Sequence, residues 1–153
     1  MKMKKSIVTF LVTCAFTALS GCANLPSPEV MKAETATYQL PKLPDSNKAI
    51  VYIVRPSSLG GLIRFNVFVD DKEAPSEMGY TRSSQYIYFS LPPGDHKIYS
   101  KAENWAEMLI SAKAGDIIFI QQEPTIGIIM SRNNIFKLED FTWRPYTIQC
   151  FRR

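Results

Sequence analysis

The side chains that could support catalysis are few. His96 is the only histidine among the 153 residues, which excludes zinc sites built from several histidines. A Ser-His-Asp triad would have to use His96, but the adjacent Asp95 falls in a predicted tight turn. Cys150 could pair with His96 as a thiol nucleophile, yet no cysteine-hydrolase signature surrounds it. Phosphate-binding and nucleophile-elbow motifs do not occur. We therefore expect no catalytic site, metal or cofactor, and interpret His96 as a polar residue that opens a strand.

The loop from Arg55 to Gly61 is a second polar segment of interest. Arg55, Ser57 and Ser58 offer a guanidinium and two hydroxyls beside flexible backbone amides, a combination that can hold an anionic group. Alternatively, the proline and glycines only turn the chain, and Arg55 pairs with a carboxylate. We favour the second interpretation and keep the three residues as candidate contacts for a ligand or partner.

A set of aromatic side chains falls opposite the expected core positions of the strands: Tyr52, Phe68, Tyr86, Tyr88 and Tyr99. Exposed together, they would form an adhesive face for a protein or glycan, with Tyr86 and Tyr88 as contact residues. Covered by the C-terminal segment, they would instead form a second core layer. We favour the covered arrangement, but the sequence leaves both open.

Short β-strands are expected to position these residues. The run Ala49–Arg55 is β-branched, apolar on both faces and too short for a typical helix, which predicts a central strand. Alternation, or apolar runs between turns, predicts further strands at 64–70, 85–91, 96–99, 116–121 and 126–130. Pro, Gly and Asp turns separate these strands. The pattern predicts an all-β domain, either a single β-sandwich or a partly open barrel of about seven strands.

Two segments have no clear period. Residues 101–113 place Ala102, Trp105 and Leu109 at helical spacing, although 106–111 is equally compatible with a strand. Residues 139–153 combine aromatic, proline and arginine residues without any regular alternation. The sequence leaves the structure of both segments open.

The N-terminus has the order of a bacterial export signal. Lys2, Lys4 and Lys5 precede an uncharged run, residues 7–18, that is shorter than the roughly 20 residues of a membrane-spanning helix. Leu19-Ser20-Gly21-Cys22 resembles the lipobox of bacterial lipoproteins. The resemblance implies removal of residues 1–21 and a lipid on Cys22 that anchors the chain stably. The following Ala23, by the sorting rule of enteric bacteria, favours the outer membrane, facing the periplasm.

Removal of the signal changes what the overall charge implies. The signal carries three lysines and no acid, so basic residues fall from 18 to 15 against 14 acidic ones. The pI of about 9.0 is therefore no indication of nucleic-acid binding, which needs clustered Lys and Arg. Cys14 leaves with the signal and Cys22 is lipidated, so we expect no disulfide within the chain at Cys150. Residues 22–48, proline-rich and poor in large apolar side chains, predict a flexible tether before a domain at 49–153.

Three motifs of the predicted domain resemble, in their order, one family of small bacterial lipoproteins. They are V-Y-x-x-R-P-S at Val51–Ser57, L-P-P-G-x-H at Leu91–His96, and A-G-D with an apolar strand at Ala114–Ile120. The family is catalogued as domain of unknown function 2846, and the resemblance covers about residues 48–139. It implies an envelope β-domain without an established activity. Residues 73–81 and the ending 141–153 depart from the family's pattern.

These features together predict a lipid-anchored, periplasm-facing envelope lipoprotein that acts as a structural or binding module. Its expected partners are the membrane, through the lipid on Cys22, and an envelope protein or glycan. The alternative from another class is an envelope hydrolase, or an accessory subunit of an envelope enzyme. A concave pocket that joins His96 to Ser or Asp partners would favour that alternative.

Overall fold

The described part of the chain is built from short strands. The computed structural model describes residues 29–30, 33 and 36–138. Besides a 3-10 turn at Ala74–Ser76, it contains β1 Ala49–Arg55, β2 Phe65–Val69, β3 Glu77–Thr81, β4 Gln85–Leu91, β5 Gly94–Lys101, β6 Trp105–Ala112, β7 Ile117–Ile126 and β8 Ser131–Lys137. Among these described residues, no helix has the length and apolarity needed to cross a bilayer. The lipobox with Cys22, and the C-terminal segment with Cys150, lie outside them.

The strands form two four-stranded sheets. The first sheet has the order β4-β1-β7-β8 and the second the order β3-β2-β5-β6. Neighbouring strands are antiparallel, except that β1 and β7 run parallel. Two open layers packed face to face form a sandwich. The predicted all-β sandwich is therefore confirmed, with eight strands in the described residues instead of about seven.

β1 is the predicted central strand and is buried along its whole length. Successive residues of a strand point to opposite faces. Val51 and Ile53 accordingly point into the core between the sheets, whereas Ile50, Tyr52 and Val54 point to the outer face of the first sheet. Because both faces are covered, the strand is apolar without alternation.

The main core lies between the two sheets and consists of aliphatic side chains from both layers. Its buried members are Ala49, Val51, Ile53, Val67, Val69, Leu91, Ile98, Ile110, Ala112, Ile118 and Ile120. Side chains of this size, drawn from facing strands, fill the space of about 10 Å between packed sheets. This core holds the outward-facing residues of each strand at fixed positions, which is its relevance for function.

Toward one end of the sandwich the interior becomes polar. The fully buried Gln122 accepts a hydrogen bond from the Thr81 hydroxyl and donates one to the Ser100 hydroxyl at 2.7 Å. These two bonds connect β7 of the first sheet to β3 and β5 of the second. Nearby, the buried Asn133 exchanges hydrogen bonds with Asn104, whose side chain reaches the Asn133 backbone at 2.8 and 2.9 Å. Hydrogen bonds of this kind between layers favour one register of the two sheets.

Part of the segment that was expected to be tether packs on the first sheet. Tyr38 and Leu40 contact the apolar cluster on its outer face. The Tyr52 hydroxyl donates to the Lys42 carbonyl at 2.5 Å and accepts from the Lys42 amide at 3.0 Å. Residue 49 begins β1, as predicted, but the packed part of the chain extends back at least to Tyr38.

The strand predicted at 126–130 is wrong. Ile126 ends β7, and residues 127–130 turn the chain into β8. Neither β3 nor β8 was predicted, because neither strand has a continuous apolar face. β3 is largely exposed, and β8 is rich in polar residues. In the ambiguous segment 101–113 the strand alternative is correct, since β6 occupies Trp105–Ala112.

Candidate functional site

Arg55, a predicted contact residue, is fully buried at the end of β1. Its guanidinium donates to three carbonyl oxygens of the loop that follows: Ile63 at 2.7 Å, Gly60 at 2.8 Å and Leu59 at 2.9 Å. The expected carboxylate partner is therefore wrong, because backbone carbonyls take its place. The guanidinium also lies 3.7 Å from the centroid of the Phe65 ring, and burial lowers its pKa.

This arrangement gives Arg55 a structural role. The guanidinium holds loop 56–64 in shape, because all three of these hydrogen bonds go to carbonyls of that loop. The Ser57 hydroxyl accepts a hydrogen bond from the Leu59 amide at 3.2 Å, and Ser58 is exposed. The structure thus does not bring the guanidinium and the two hydroxyls together on one surface.

The five outward aromatic side chains divide between two faces instead of forming one. Tyr52, Tyr86 and Tyr88 lie on the outer face of the first sheet, where Tyr52 is the centre of the group. Its ring lies 6.2 Å from Tyr86 and 5.4 Å from Tyr88, and stacks on Phe119 with centroids 5.1 Å apart. Phe68 pairs with Tyr99 across β2 and β5 of the second sheet.

The covered arrangement that we favoured applies to Tyr52, which is fully buried. The described side chains that pack against the buried cluster containing Tyr52 include Tyr38, Leu40 and Leu138. Most of the C-terminal segment that was expected to supply the cover lies outside the described residues. Tyr88 remains 44% exposed and is therefore still available as a contact residue, whereas Tyr86 packs partly against the buried cluster.

His96 is held by two oxygen atoms. Its Nδ1 lies 2.9 Å from the Asp70 carboxylate and its Nε2 lies 3.0 Å from the Pro92 carbonyl. Burial lowers the pKa of His96, but the hydrogen bonds to Asp70 and Pro92 and the nearby carboxylates raise it by more. With both ring nitrogens engaged, His96 joins the β4–β5 turn to the end of β2. Within residues 29–30, 33 and 36–138, no group of three or more His, Cys, Asp and Glu side chains could hold a metal ion.

On the outer face of the second sheet, the strand register places aromatic, basic and acidic residues side by side. One rung across β3, β2, β5 and β6 places Tyr80, Asn66, Lys101 and Trp105 side by side. The next rung contains Phe68, Tyr99 and Glu107 in the same way. Phe68 and Tyr99 are nearly buried by their neighbours, while Tyr80 and Trp105 are more than a third exposed. We call this surface, including the basic residues around its rings, the cation–aromatic face.

Five basic side chains lie over the rings of this face. The Lys72 ammonium is 4.7 Å from the Tyr99 ring and 5.1 Å from the Trp105 ring, and Lys101 is 5.0 Å from Trp105. The remaining pairs are Lys97 over Tyr99, and Arg64 and Arg82 over Tyr80. Cation–π contacts of this length contribute about 0.5–1 kcal/mol each at exposed sites. They hold positive charge at defined positions on an open sheet.

Comparison with known proteins places the chain in a family. A family model described as "Protein of unknown function (DUF2846)" matches residues 45–136, which include all eight strands except the end of β8. The chain belongs to the DUF2846 family. It is also similar to an uncharacterized protein of Haemophilus influenzae (strain ATCC 51907 / DSM 11121 / KW20 / Rd), with 25% identity over 123 residues, 80% of this chain and 70% of that protein. The resemblance inferred from the three motifs is thus confirmed.

In this member of the DUF2846 family, the motif residues support turns and strand ends. Arg55 of the first motif shapes loop 56–64, and His96 of the second closes the β4–β5 turn. In the third, the Gly115 amide donates to the Lys48 carbonyl, and Asp116 caps the same turn through the Lys113 amide. Of these residues, Arg55 and His96 are buried and Asp116 is half-buried.

Sequence reasoning missed several residues of the cation–aromatic face, among them Tyr80, Trp105 and Lys72. A signal existed in β5, where Lys97, Tyr99 and Lys101 alternate with core residues and so share one face. The contributions of β3 and β6 depend on pairing partners far apart in sequence. Those partners were visible only once the register was known.

Proposed function

We propose that this chain is a lipid-anchored, periplasm-facing envelope lipoprotein whose sandwich is a binding module without catalytic activity. The lipobox at Leu19–Cys22 supports the anchor. The observation that carries the binding role is the cation–aromatic face, where aromatic rings and basic side chains are fixed on an open sheet. Aromatic and arginine residues are enriched at binding surfaces, and surface charge of one sign selects partners of the opposite sign.

The charge balance of this face favours an acidic partner. Arg64, Lys72, Arg82, Lys97 and Lys101 contribute five positive charges. Three carboxylates oppose them: Glu77, Glu107 and Asp95, which alternation along β5 places on the same side as Lys97. Glu107 lies 3.8 Å from Lys72 and 3.9 Å from Lys97, and Glu77 accepts a hydrogen bond from Asn66 at 2.6 Å. Basic groups also occupy the space above the rings, which disfavours flat stacking of a neutral sugar. We therefore expect an envelope protein or glycan that bears carboxylates or phosphates.

The hydrolase alternative receives no support from His96. An imidazole that acts as a general base needs one nitrogen free to face the nucleophile, with the other oriented by a carboxylate. His96 has the carboxylate, Asp70, but its second nitrogen faces the Pro92 carbonyl at 3.0 Å. The accessory-subunit version of that alternative is compatible with a binding module and differs only in the identity of the partner.

The anchor is tested by substitution of Cys22. Cys22→Ser should abolish incorporation of labelled fatty acid and leave the unprocessed precursor, because the thioether requires the cysteine sulfur. The measurement is metabolic labelling followed by mass spectrometry of the N-terminal peptide. A mutant that is still cleaved between Gly21 and residue 22, and still partitions into detergent, would refute the lipoprotein assignment.

The binding face is tested by photo-crosslinking in cells. A photoreactive amino acid at position 105 should capture a partner, and charge reversal by Lys72→Glu with Lys101→Glu should abolish the capture. Lys113→Glu, a reversal in the β6–β7 turn, is the matched control and should leave capture unchanged. The same photoreactive residue at position 88 tests the other sheet. Capture from position 88 and not from 105 would assign binding to Tyr86 and Tyr88 and overturn the cation–aromatic face.

A further inference from the structure

One end of the sandwich carries almost fully exposed aliphatic side chains on two adjoining turns. Loop 56–64 lies against the start of β8, since a side-chain carbon on Gly60 would overlap the Ser131 hydroxyl. The β7–β8 turn at 127–130 immediately precedes that contact. Four large aliphatic residues of these turns are 87% to 92% exposed: Leu62, Ile126, Ile128 and Ile129. We call them the aliphatic tip. Exposed apolar groups that cluster in this way mark contact sites.

The backbone of the tip is held by a single carboxylate. Glu103, in the adjacent β5–β6 turn, accepts hydrogen bonds from the amides of Ile128 at 3.1 Å, Ile129 at 2.9 Å and Met130 at 2.7 Å. Gly127 permits the tight turn, because a side chain there would overlap the Met130 carbonyl and the Glu103 carboxylate. Three backbone donors that water would otherwise have to satisfy are therefore paired within the protein.

Basic residues lie beside the turns at this end of the sandwich. This end is formed by loop 56–64 and by the β3–β4, β5–β6 and β7–β8 turns, which are flanked by Arg64, Arg82, Lys101 and Arg132. The acidic residue in these turns, Glu103, accepts hydrogen bonds from the three amides. An apolar projection with cations beside it is complementary to a phospholipid surface, which presents phosphates above hydrocarbon. Insertion as far as the hydrocarbon requires paired backbone donors, because hydrocarbon offers no hydrogen-bond partner, and three amides of the tip are already paired with Glu103.

The chain upstream of β1 leads back toward this end. The Lys48 carbonyl accepts from Gly115 at the opposite end of the sandwich, whereas Lys42 bonds to Tyr52, in the middle of β1. Between residues 48 and 42 the chain therefore doubles back alongside β1 in the direction of the tip. Residues 22–37 would span about 50 Å if fully extended; the described residues 29, 30 and 33 are helical, so the reach is shorter than that. An anchor at Cys22 would leave the tip within reach of the same membrane.

We propose that the aliphatic tip inserts into the interfacial layer of the phospholipid bilayer that holds the anchor. The anchor itself rests on the proposed function, but the tip and the charges beside it do not. Insertion would hold the sandwich upright. Arg64, Arg82 and Lys101, at the tip end of the cation–aromatic face, would then lie near the lipid phosphates, and Lys72 and Lys97, farther from the tip, would remain available to a partner. The lipid would then confine the domain, and the tip would orient it.

The test is depth-dependent quenching on the mature full-length protein in vesicles of phosphatidylethanolamine and phosphatidylglycerol. In a Cys150→Ser background, Ile128→Cys carries an environment-sensitive fluorophore, and Ala114→Cys, at the opposite end, carries the same label as the control. Nitroxide lipids should quench the label at 128 about threefold or more above the label at 114. Equal quenching at the two positions would overturn the proposal. So would a label at 128 that is shielded from iodide before vesicles are added, because a protein segment or a second copy would then cover the tip.

Matched substitutions separate the tip from general hydrophobicity. Ile129→Asp should abolish quenching at 128, whereas Leu109→Asp, the same change at an exposed aliphatic residue of the second sheet, should leave it intact. Far-ultraviolet circular dichroism of each variant establishes that it is folded. Equal effects of the two substitutions would refute a specific role of the tip. Mass spectrometry of the N-terminal peptide reports lipidation on the same samples. Protein without lipid that is still quenched at 128 would reject the anchor and retain the tip.

Discussion

Tyr52→Phe removes one oxygen atom and tests whether residues 38–42 belong to the folded domain. The Tyr52 hydroxyl links this segment to β1 through a donated bond of 2.5 Å and an accepted bond of 3.0 Å, both to Lys42. Burial, above all, raises the pKa of Tyr52 to about 12. The phenol therefore stays protonated, and able to donate, across the physiological range of pH.

The size of the effect follows from these two bonds. A hydrogen bond contributes about 0.5–1.5 kcal/mol net, and the Lys42 groups are only partly buried, so water can replace part of the loss. We expect Tyr52→Phe to lower the free energy of unfolding by about 1.5 kcal/mol. For a domain of this size, that corresponds to a fall in Tm of roughly 6 °C.

The assay combines thermal unfolding with amide hydrogen exchange of the mature protein. The Lys42 amide should be protected in the wild type and exchange much faster in Tyr52→Phe, because its acceptor is gone. Tyr88→Phe is the matched control: it removes the same atom from a half-exposed ring on the same face and should change stability by less than about 0.5 kcal/mol. If the two variants behave alike, residues 38–42 are not held by Tyr52.

Three further predictions concern the turns. Arg55→Lys should destabilise the fold by about 2–4 kcal/mol in urea unfolding, because an ammonium cannot reproduce the guanidinium fork; Ser58→Ala should stay within about 0.5 kcal/mol, and equal effects would contradict the role of Arg55. The folded-state pKa of His96 is raised, so its stabilisation is present below the unfolded value of about 6.5 and is lost as pH rises through the folded pKa. His96→Gln should remove that pH-dependent step, and a wild-type profile without one would contradict it. Gly127→Ala should displace the β7–β8 turn and speed hydrogen exchange at Ile128, Ile129 and Met130, while exchange in the strands stays slow; unchanged exchange at the turn would argue against the close approach seen at Gly127.

The strands that could be predicted are those whose burial is reflected in the pattern of apolar residues. β1 is apolar on both faces because both are covered. β4 alternates because Ile87, Phe89 and Leu91 face the core while the residues between them point to the other side. β8 escaped prediction because two of its buried positions are the polar Ser131 and Asn133, and the Asn133 side chain donates to carbonyl groups distant in sequence, such as that of Ser100. The prediction at 126–130 was wrong for the opposite reason. This apolar run indicates a buried strand, but its side chains are exposed at a turn.

The sequence by itself determined the β-class of the domain, the position of its central strand, the family motifs and the expected export signal. These depend on composition, local periodicity and short spacing, which the chain carries without reference to its fold. Only the tertiary structure decided which outward aromatic residues share a face, because period-two alternation fixes the two sides of a strand but not the sheet that the strand joins. It also decided that Arg55 is buried and that Ile128 and Ile129 project outward. A charge becomes compatible with burial, and an apolar run with exposure, only through partners such as the carbonyls of loop 56–64 and the carboxylate of Glu103, which folding brings into place.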